Sequence, residues 1–199
     1  SMMSCTSSAV VFAVPTAPTK DISSSVSREV SNYFDGVETR YIKDQLTPAD
    51  KAVLHTLYGG MIMYGAVFAP EASSILSHYL YGDGSDLELS PNYIRNSPVI
   101  RKQIKKVGNR PGVYRNTFVQ TEDKRLSYAY NPYHLKIKRN KDGTTTYKIF
   151  EKIVFHNPKK SKGYKTNFWV GNLKFSISDQ LVYAAGKCKP FVAYAEWTE

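Results

Sequence analysis

The spacing of apolar residues changes part-way along this chain, from a helical period to strict alternation. Val26, Val30, Tyr33 and Phe34 fall at i, i+4, i+7 and i+8, which predicts a helix over about 24–35, with Gly36 as its stop. Thr47-Pro48-Ala49-Asp50 supplies an N-cap, a proline at the first helical position and an acid in the first turn. A second helix is expected from there to about Phe68. Pro70 opens a third, to about Tyr81, with Ala72, Ile75, Leu76, Tyr79 and Leu80 as its stripe and Gly82 as a left-handed cap. Ser90-Pro91 and Ser97-Pro98 are two further starts. The second launches Val99–Val107, apolar at Val99, Ile100, Ile104 and Val107 and basic at Arg101, Lys102, Lys105 and Lys106, with Gly108 ending it.

Beyond Pro111 the pattern alternates. Tyr133, Leu135 and Ile137 interleave with His134, Lys136 and Lys138, and Tyr147, Ile149, Ile153 and Phe155 follow across Lys141-Asp142-Gly143. A three-residue loop with Gly143 left-handed pairs Ile137 with Tyr147 and Leu135 with Ile149, whereas a two-residue turn would set Ile137 against Lys148. The three-residue loop is therefore expected. It places Lys136 directly opposite Lys148 on the outer face, beside Lys138 and Lys152. A second hairpin is expected at Gly171-Asn172, pairing Val170 with Leu173 and Phe168 with Phe175. Further strands are expected near 113–120, 124–130, 181–185 and 190–197, and a short one at 9–14. Helices first and strands afterwards predict an α+β fold: N-terminal helices packed on a C-terminal antiparallel sheet of five to seven strands. Residues 1–22 read as a flexible tail, and 23–199 as one domain, helical over 23–108 and β-rich over 112–199.

Charge sharpens that division. The net charge is +10, but residues 1–99 hold 6 Lys/Arg against 10 Asp/Glu, a balance of −4, and residues 100–199 hold 21 against 7, a balance of +14. A half this basic points to an anionic target: envelope lipid, a lipid-linked precursor or nucleic acid. Lys136, Lys138, Lys148 and Lys152 on the hairpin, with Arg101 and Lys105 on the basic helix, are the candidate anion-binding residues. Tyrosines interleave with the cations, and Tyr133 and Tyr147 are the candidate aromatic contacts, since ring faces beside cations suit bases and phosphates. Two cysteines, Cys5 and Cys188, make neither a disulfide framework nor a zinc site.

The four histidines, His55, His78, His134 and His156, form no metal-ligand spacing, and no sequence motif implies a cofactor. His134 and His156 are expected on the outer face of the hairpin. There His134 is the candidate general acid or base, with Lys136 or Lys148 holding an anionic oxygen. Asp83, Asp86 and Glu88 crowd one loop without the order of a calcium hand, and read as a capped turn. Val53–Ala69 carries no charge, so a membrane-inserting segment is an alternative to a buried helix. Ala9–Val14 is too short for a secretory core and lacks a basic lead, so no signal peptide is expected in this sequence.

The stretch at about residues 72–98, carried by Ala72-Ser-Ser-Ile-Leu-Ser-His78-Tyr-Leu-Tyr-Gly-Asp-Gly-Ser-Asp-Leu-Glu-Leu89, resembles a segment of Gram-negative secreted antibacterial proteins, the modular type VI effectors and colicin-M-like bacteriocins. The resemblance covers about 25 of the 199 residues. It implies a secreted or machine-delivered effector, a toxin or bacteriocin-like protein with an immunity-type protein as a partner. The colicin M signature, Asp-x-Tyr-Asp followed by His-Arg, is absent, so the resemblance assigns no catalytic residue.

Overall fold

The computed structural model describes residues 22–118, 122–170, 173–186 and 189–199. In chain order the elements are α1 (Ile22–Ile42), α2 (Pro48–Phe68), α3 (Pro70–Tyr81), β1 (Leu87–Glu88), α4 (Pro98–Lys106), β2 (Gly112–Asn116), α5 (Lys124–Ala129), β3 (Tyr133–Arg139), β4 (Thr145–Ile153), β5 (Lys165–Val170), β6 (Leu173–Ser178), α6 (Leu181–Ala185) and β7 (Phe191–Thr198). A 3-10 turn over Ile94–Asn96 precedes α4. The helices are mostly N-terminal and the strands mostly C-terminal, an α+β fold. The expected strand at 9–14 and the Gly171-Asn172 turn lie outside the described residues. The chain divides into two compact units: among the described residues, 22–82 with 155–186, and 83–154 with 189–199.

The first unit holds α1, α2, α3, α6 and the β5–β6 hairpin. α1 does not stop at Gly36 but continues to Ile42, because Val37 beyond the glycine is fully buried. Its last turn brings Arg40 to the start of α2. There Thr47 and Asp50 form a reciprocal capping box: Thr47 Oγ1 accepts from the Asp50 amide, and Asp50 Oδ2 accepts from the Thr47 amide, both at 3.1 Å. Arg40 closes on the same carboxylate with two hydrogen bonds of 2.8 Å, and the Tyr33 hydroxyl donates to it at 3.2 Å. Asp50 is buried and ionised: Arg40 foremost, with the Thr47 contacts and the Tyr33 hydroxyl, holds its pKa well below the usual carboxylate range against the opposing effect of burial.

α2 and α3 follow the two proline starts. The Ser73 hydroxyl donates to the Ile62 carbonyl at 2.6 Å and ties them together. Gly82 is not the left-handed cap expected: its φ is −79° and ψ 177°, extended backbone. Glycine is needed there for space, since a Cβ would sit 2.4 Å from the His78 carbonyl oxygen. The β5–β6 hairpin has the expected register, with Val170 against Leu173 and Phe168 against Phe175. It packs with α1, where the Ser176 amide donates to Ser31 Oγ at 3.0 Å and Lys165 pairs with Asp35 at 2.7 Å. It is thus a separate two-stranded sheet. α6 occupies the stretch 181–185 where a strand was expected.

In the second unit the sheet order is β1-β7-β4-β3-β2, antiparallel except for the two-residue β1, which runs parallel to β7. The β3–β4 register is the one the apolar pairs demand: Leu135 opposite Ile149, Ile137 opposite Tyr147 and Lys136 opposite Lys148. Gly143 turns the corner at φ 87°, a conformation that favours glycine. The Asn140 amide donates to the Thr144 carbonyl at 2.8 Å. A slip of one residue would bring Leu135 and Ile149, both fully buried, to the surface at about 1.5–3 kcal/mol each.

α5, where residues 124–130 were expected to be extended, is started by Asp123, whose carboxylate accepts from the Leu126 amide at 3.0 Å. α4 buries Ile100, Gln103 and Ile104. It is fixed to the sheet by Asn116, whose amide donates to Gln103 at 2.8 Å, and by Asn109, which accepts from the Tyr147 hydroxyl at 2.6 Å.

Candidate anionic-ligand interface

Alternation along the strands assigns each residue a face. Tyr133, Leu135, Ile137, Tyr147, Ile149, Ala193, Ala195 and Trp197 are buried, so their neighbours in each strand point the other way. The register then sets those neighbours in rows across the sheet. One row takes a residue from every strand: Arg115, His134, Phe150, Tyr194 and Glu88. The next holds Val113, Lys136, Lys148 and Glu196. Lys138 extends the face on one side and Lys152 on the other. Five cations (Arg115, Lys136, Lys138, Lys148 and Lys152) share this face with two carboxylates, Glu88 and Glu196.

The centre of the face is aromatic and ordered by its neighbours. Lys148 Nζ lies 4.5 Å from the centroid of the Tyr194 ring and 5.8 Å from that of Phe150, within cation–π range. The His134 imidazole stacks on Phe150 with centroids 5.1 Å apart and planes at 17°. Its Nδ1 is 3.2 Å from a carboxylate oxygen of Glu151, which is 4 % exposed. A carboxylate so buried needs a partner, and His134 is the one it has in this contact. In the neutral tautomer whose Nδ1–H donates to Glu151, Nε2 is the acceptor.

Not every residue expected at the interface is there. Tyr133 and Tyr147 are core residues, 0 % and 3 % exposed, and cannot stack on a ligand. Alternation puts them on the helix side, and burial pushes the Tyr133 phenol up to about 12. Phe150 and Tyr194 take their place. Arg101 is engaged by both carboxylate oxygens of Glu199, at 2.6 and 3.1 Å, while its Nε donates to the Arg95 carbonyl at 2.6 Å. Since α4 meets the sheet through the inward Asn116, Arg101 and the exposed Lys105 lie away from the lysine rows. His156 follows the end of β4 at Ile153 and belongs to the other unit.

The remaining polar candidates have structural partners. His55 Nδ1 lies 3.3 Å from the Tyr81 hydroxyl. Asp83 accepts from the Ser85 amide, and Asp86 from the Val192 amide, the turn that the Asp/Gly loop predicted. Among the described residues, no group of three His, Cys, Asp or Glu side chains could hold a metal ion, and no helix is long and apolar enough to cross a membrane. α2 nevertheless exposes Met63, Tyr64, Val67 and Phe68.

Arg115, Phe150, Glu151, Tyr194 and Glu196 were not singled out by sequence. Phe150 is readable from the hairpin register alone, since it falls opposite His134; Glu151 is not, because alternation sets it with the buried Ile149 and Tyr147. Tyr194 and Glu196 need the β4–β7 register, and nothing local specifies it. Fold and site together define an α+β protein with a cationic sheet face centred on aromatic rings. Comparison with family models, curated proteins and solved structures finds no match to the chain.

Proposed function

We propose that the protein binds a phosphate-bearing polymer, single-stranded nucleic acid, on the outer face of its five-stranded sheet. The observation that carries this reading is the facing pair Lys136 and Lys148, set among Arg115, Lys138 and Lys152 around Phe150 and Tyr194. Like charges directly opposite each other destabilise a sheet, and an anion seated between them removes that cost. Along a strand, alternate positions recur at about 6.6 Å, so Lys136 and Lys138 form a short ladder of charge beside the ring faces. A lipid headgroup would use the charges but not the rings, whereas a single strand uses both, through phosphates and stacked bases. Fluorescence anisotropy with a labelled single-stranded oligonucleotide tests it, with anionic vesicles as competitor. Saturable binding that vesicles do not displace is expected, and displacement by vesicles at equal phosphate would transfer the site to lipid.

A second reading concerns the role in which the binding is used. The segment at about residues 72–98 and the −4/+14 division of charge support a secreted or delivered antagonism protein whose basic half meets its target in a rival cell. Expression in a susceptible bacterium is expected to arrest growth from the cytoplasm, where nucleic acid is reached. Normal growth after expression in both cytoplasm and periplasm would end that reading.

A further inference from the structure

We propose that His134, with Arg115 opposite it and Glu151 against its Nδ1, is a catalytic site that cleaves single-stranded RNA by transesterification. This rests on the reading of the sheet face as a nucleic-acid interface, and adds a reaction to it. Binding alone accounts for the lysines, but it does not call for a buried carboxylate set on an imidazole. Glu151 fixes one nitrogen at 3.2 Å, and the Phe150 ring fixes the plane of the imidazole at 17°. The ring is therefore oriented, and Nε2 is the nitrogen left to serve as a general base.

The cations are placed to serve the same step. Arg115 is the direct cross-strand neighbour of His134 on one side. On the other side, Lys148 reaches over Phe150, the neighbour on which the imidazole stacks. A phosphate drawn in by Arg115 and Lys148 would come to the row that holds His134, where both cations can neutralise charge that builds on its non-bridging oxygens.

The substrate class follows from what the site supplies. RNA carries its own nucleophile beside each phosphodiester, so a proton acceptor and flanking cations meet the main demands of its cleavage. His134 Nε2 takes the 2′-hydroxyl proton, and the 2′-oxygen forms a bond to phosphorus. The bond from phosphorus to O5′ breaks, and O5′ leaves with a proton from water. The products are a 2′,3′-cyclic phosphate and a 5′-hydroxyl, and the imidazolium returns its proton to solvent. Glu151 is a positioning residue, acting only through the imidazole.

The test uses the full chain with a labelled single-stranded RNA and the DNA of the same sequence, measuring dissociation constant and single-turnover rate separately. The wild type is expected to give cyclic-phosphate ends from RNA and to leave DNA intact. His134→Asn keeps a donor for Glu151 but has no Nε2, and is expected to lower the rate about 100-fold or more with affinity within threefold. Glu151→Gln is expected to lower the rate about tenfold, again without change in affinity. Arg115→Ala, at an exposed position that leaves the core intact, is expected to lower it about 10- to 100-fold. RNA that binds but is not cleaved by the wild type overturns the catalytic proposal alone. RNA that does not bind overturns the interface as well. A rate unchanged in His134→Asn overturns the assignment of the base.

Discussion

Changing Lys136 to glutamate is expected to move stability and binding in opposite directions. In the wild type Lys148 has Lys136 on one flank and Glu196 on the other. In Lys136→Glu it would lie between two carboxylates, and replacing a like-charge pair by an opposite-charge pair contributes roughly 0.2–1 kcal/mol. The unfolding midpoint in urea should therefore rise. Binding of single-stranded nucleic acid at 0.1 M salt should weaken at least about tenfold, since one phosphate contact is lost and a repulsive charge gained. A surface whose natural residue lowers stability and raises affinity is one kept for its ligand. If Lys136→Glu left binding unchanged, the lysine rows would be a hydrated surface and nothing more.

The second large effect lies in the helical unit, which carries none of the proposed chemistry. Asp50→Ala is expected to destabilise it by roughly 2–4 kcal/mol, read from urea unfolding followed by circular dichroism. The substitution removes the acceptor for the Thr47 amide, one half of the capping box, and leaves Arg40 and the Tyr33 hydroxyl without their shared partner. The Arg40 side chain is 35 % exposed, so water recovers part of its loss, and the figure stays below that of a fully buried pair. A pH signature accompanies it. Arg40 is the main cause of the lowered Asp50 pKa, against the opposing effect of burial, with Thr47 and Tyr33 helping Arg40. The unfolded chain binds this proton near the ordinary value of about 4, the folded chain only well below it. The contribution is thus complete above about pH 4 and fades progressively as pH falls further. Asp50→Asn should be less stable at neutral pH and should lack this component of the acid loss.

Both effects depend on features that local sequence does and does not encode. Thr47-Pro48-Ala49-Asp50 announces its helix because cap, proline and acid act within one turn. The β3–β4 register was readable because a single slip would exchange Leu135, Ile137 and Ile149 for lysines. Helices stand near 124–130 and at 181–185, where the sequence predicts strands, because runs this short suit a strand or a helix equally, and Asp123 decides the first only by reaching the Leu126 amide. Gly36 looked like a stop because its helix propensity is low, but the burial of Val37 and the Arg40–Asp50 pairing carry α1 past it.

The candidate interface was half legible. Lys136, Lys138, Lys148, Lys152 and His134 share a face by alternation alone. The same alternation, applied strictly, already sends Tyr133 and Tyr147 to the core, which the count of tyrosines beside lysines obscured. Arg101 was beyond local reading, since its partner Glu199 is 98 residues away in the chain. Tyr194 and Glu196 arrive through long-range strand pairing, which no short-range pattern specifies.

The central claim is that a single strand is bound by the cations of one sheet face, and its salt dependence measures those cations directly. With about five contacts from Arg115, Lys136, Lys138, Lys148 and Lys152, the logarithm of the association constant should fall against that of salt with a slope near about −3.5, roughly 100-fold between 50 and 200 mM. In the double variant Lys136→Glu, Lys148→Glu the slope should shrink to about −2. A wild-type slope close to zero, or one that the double variant leaves unchanged, would contradict the account.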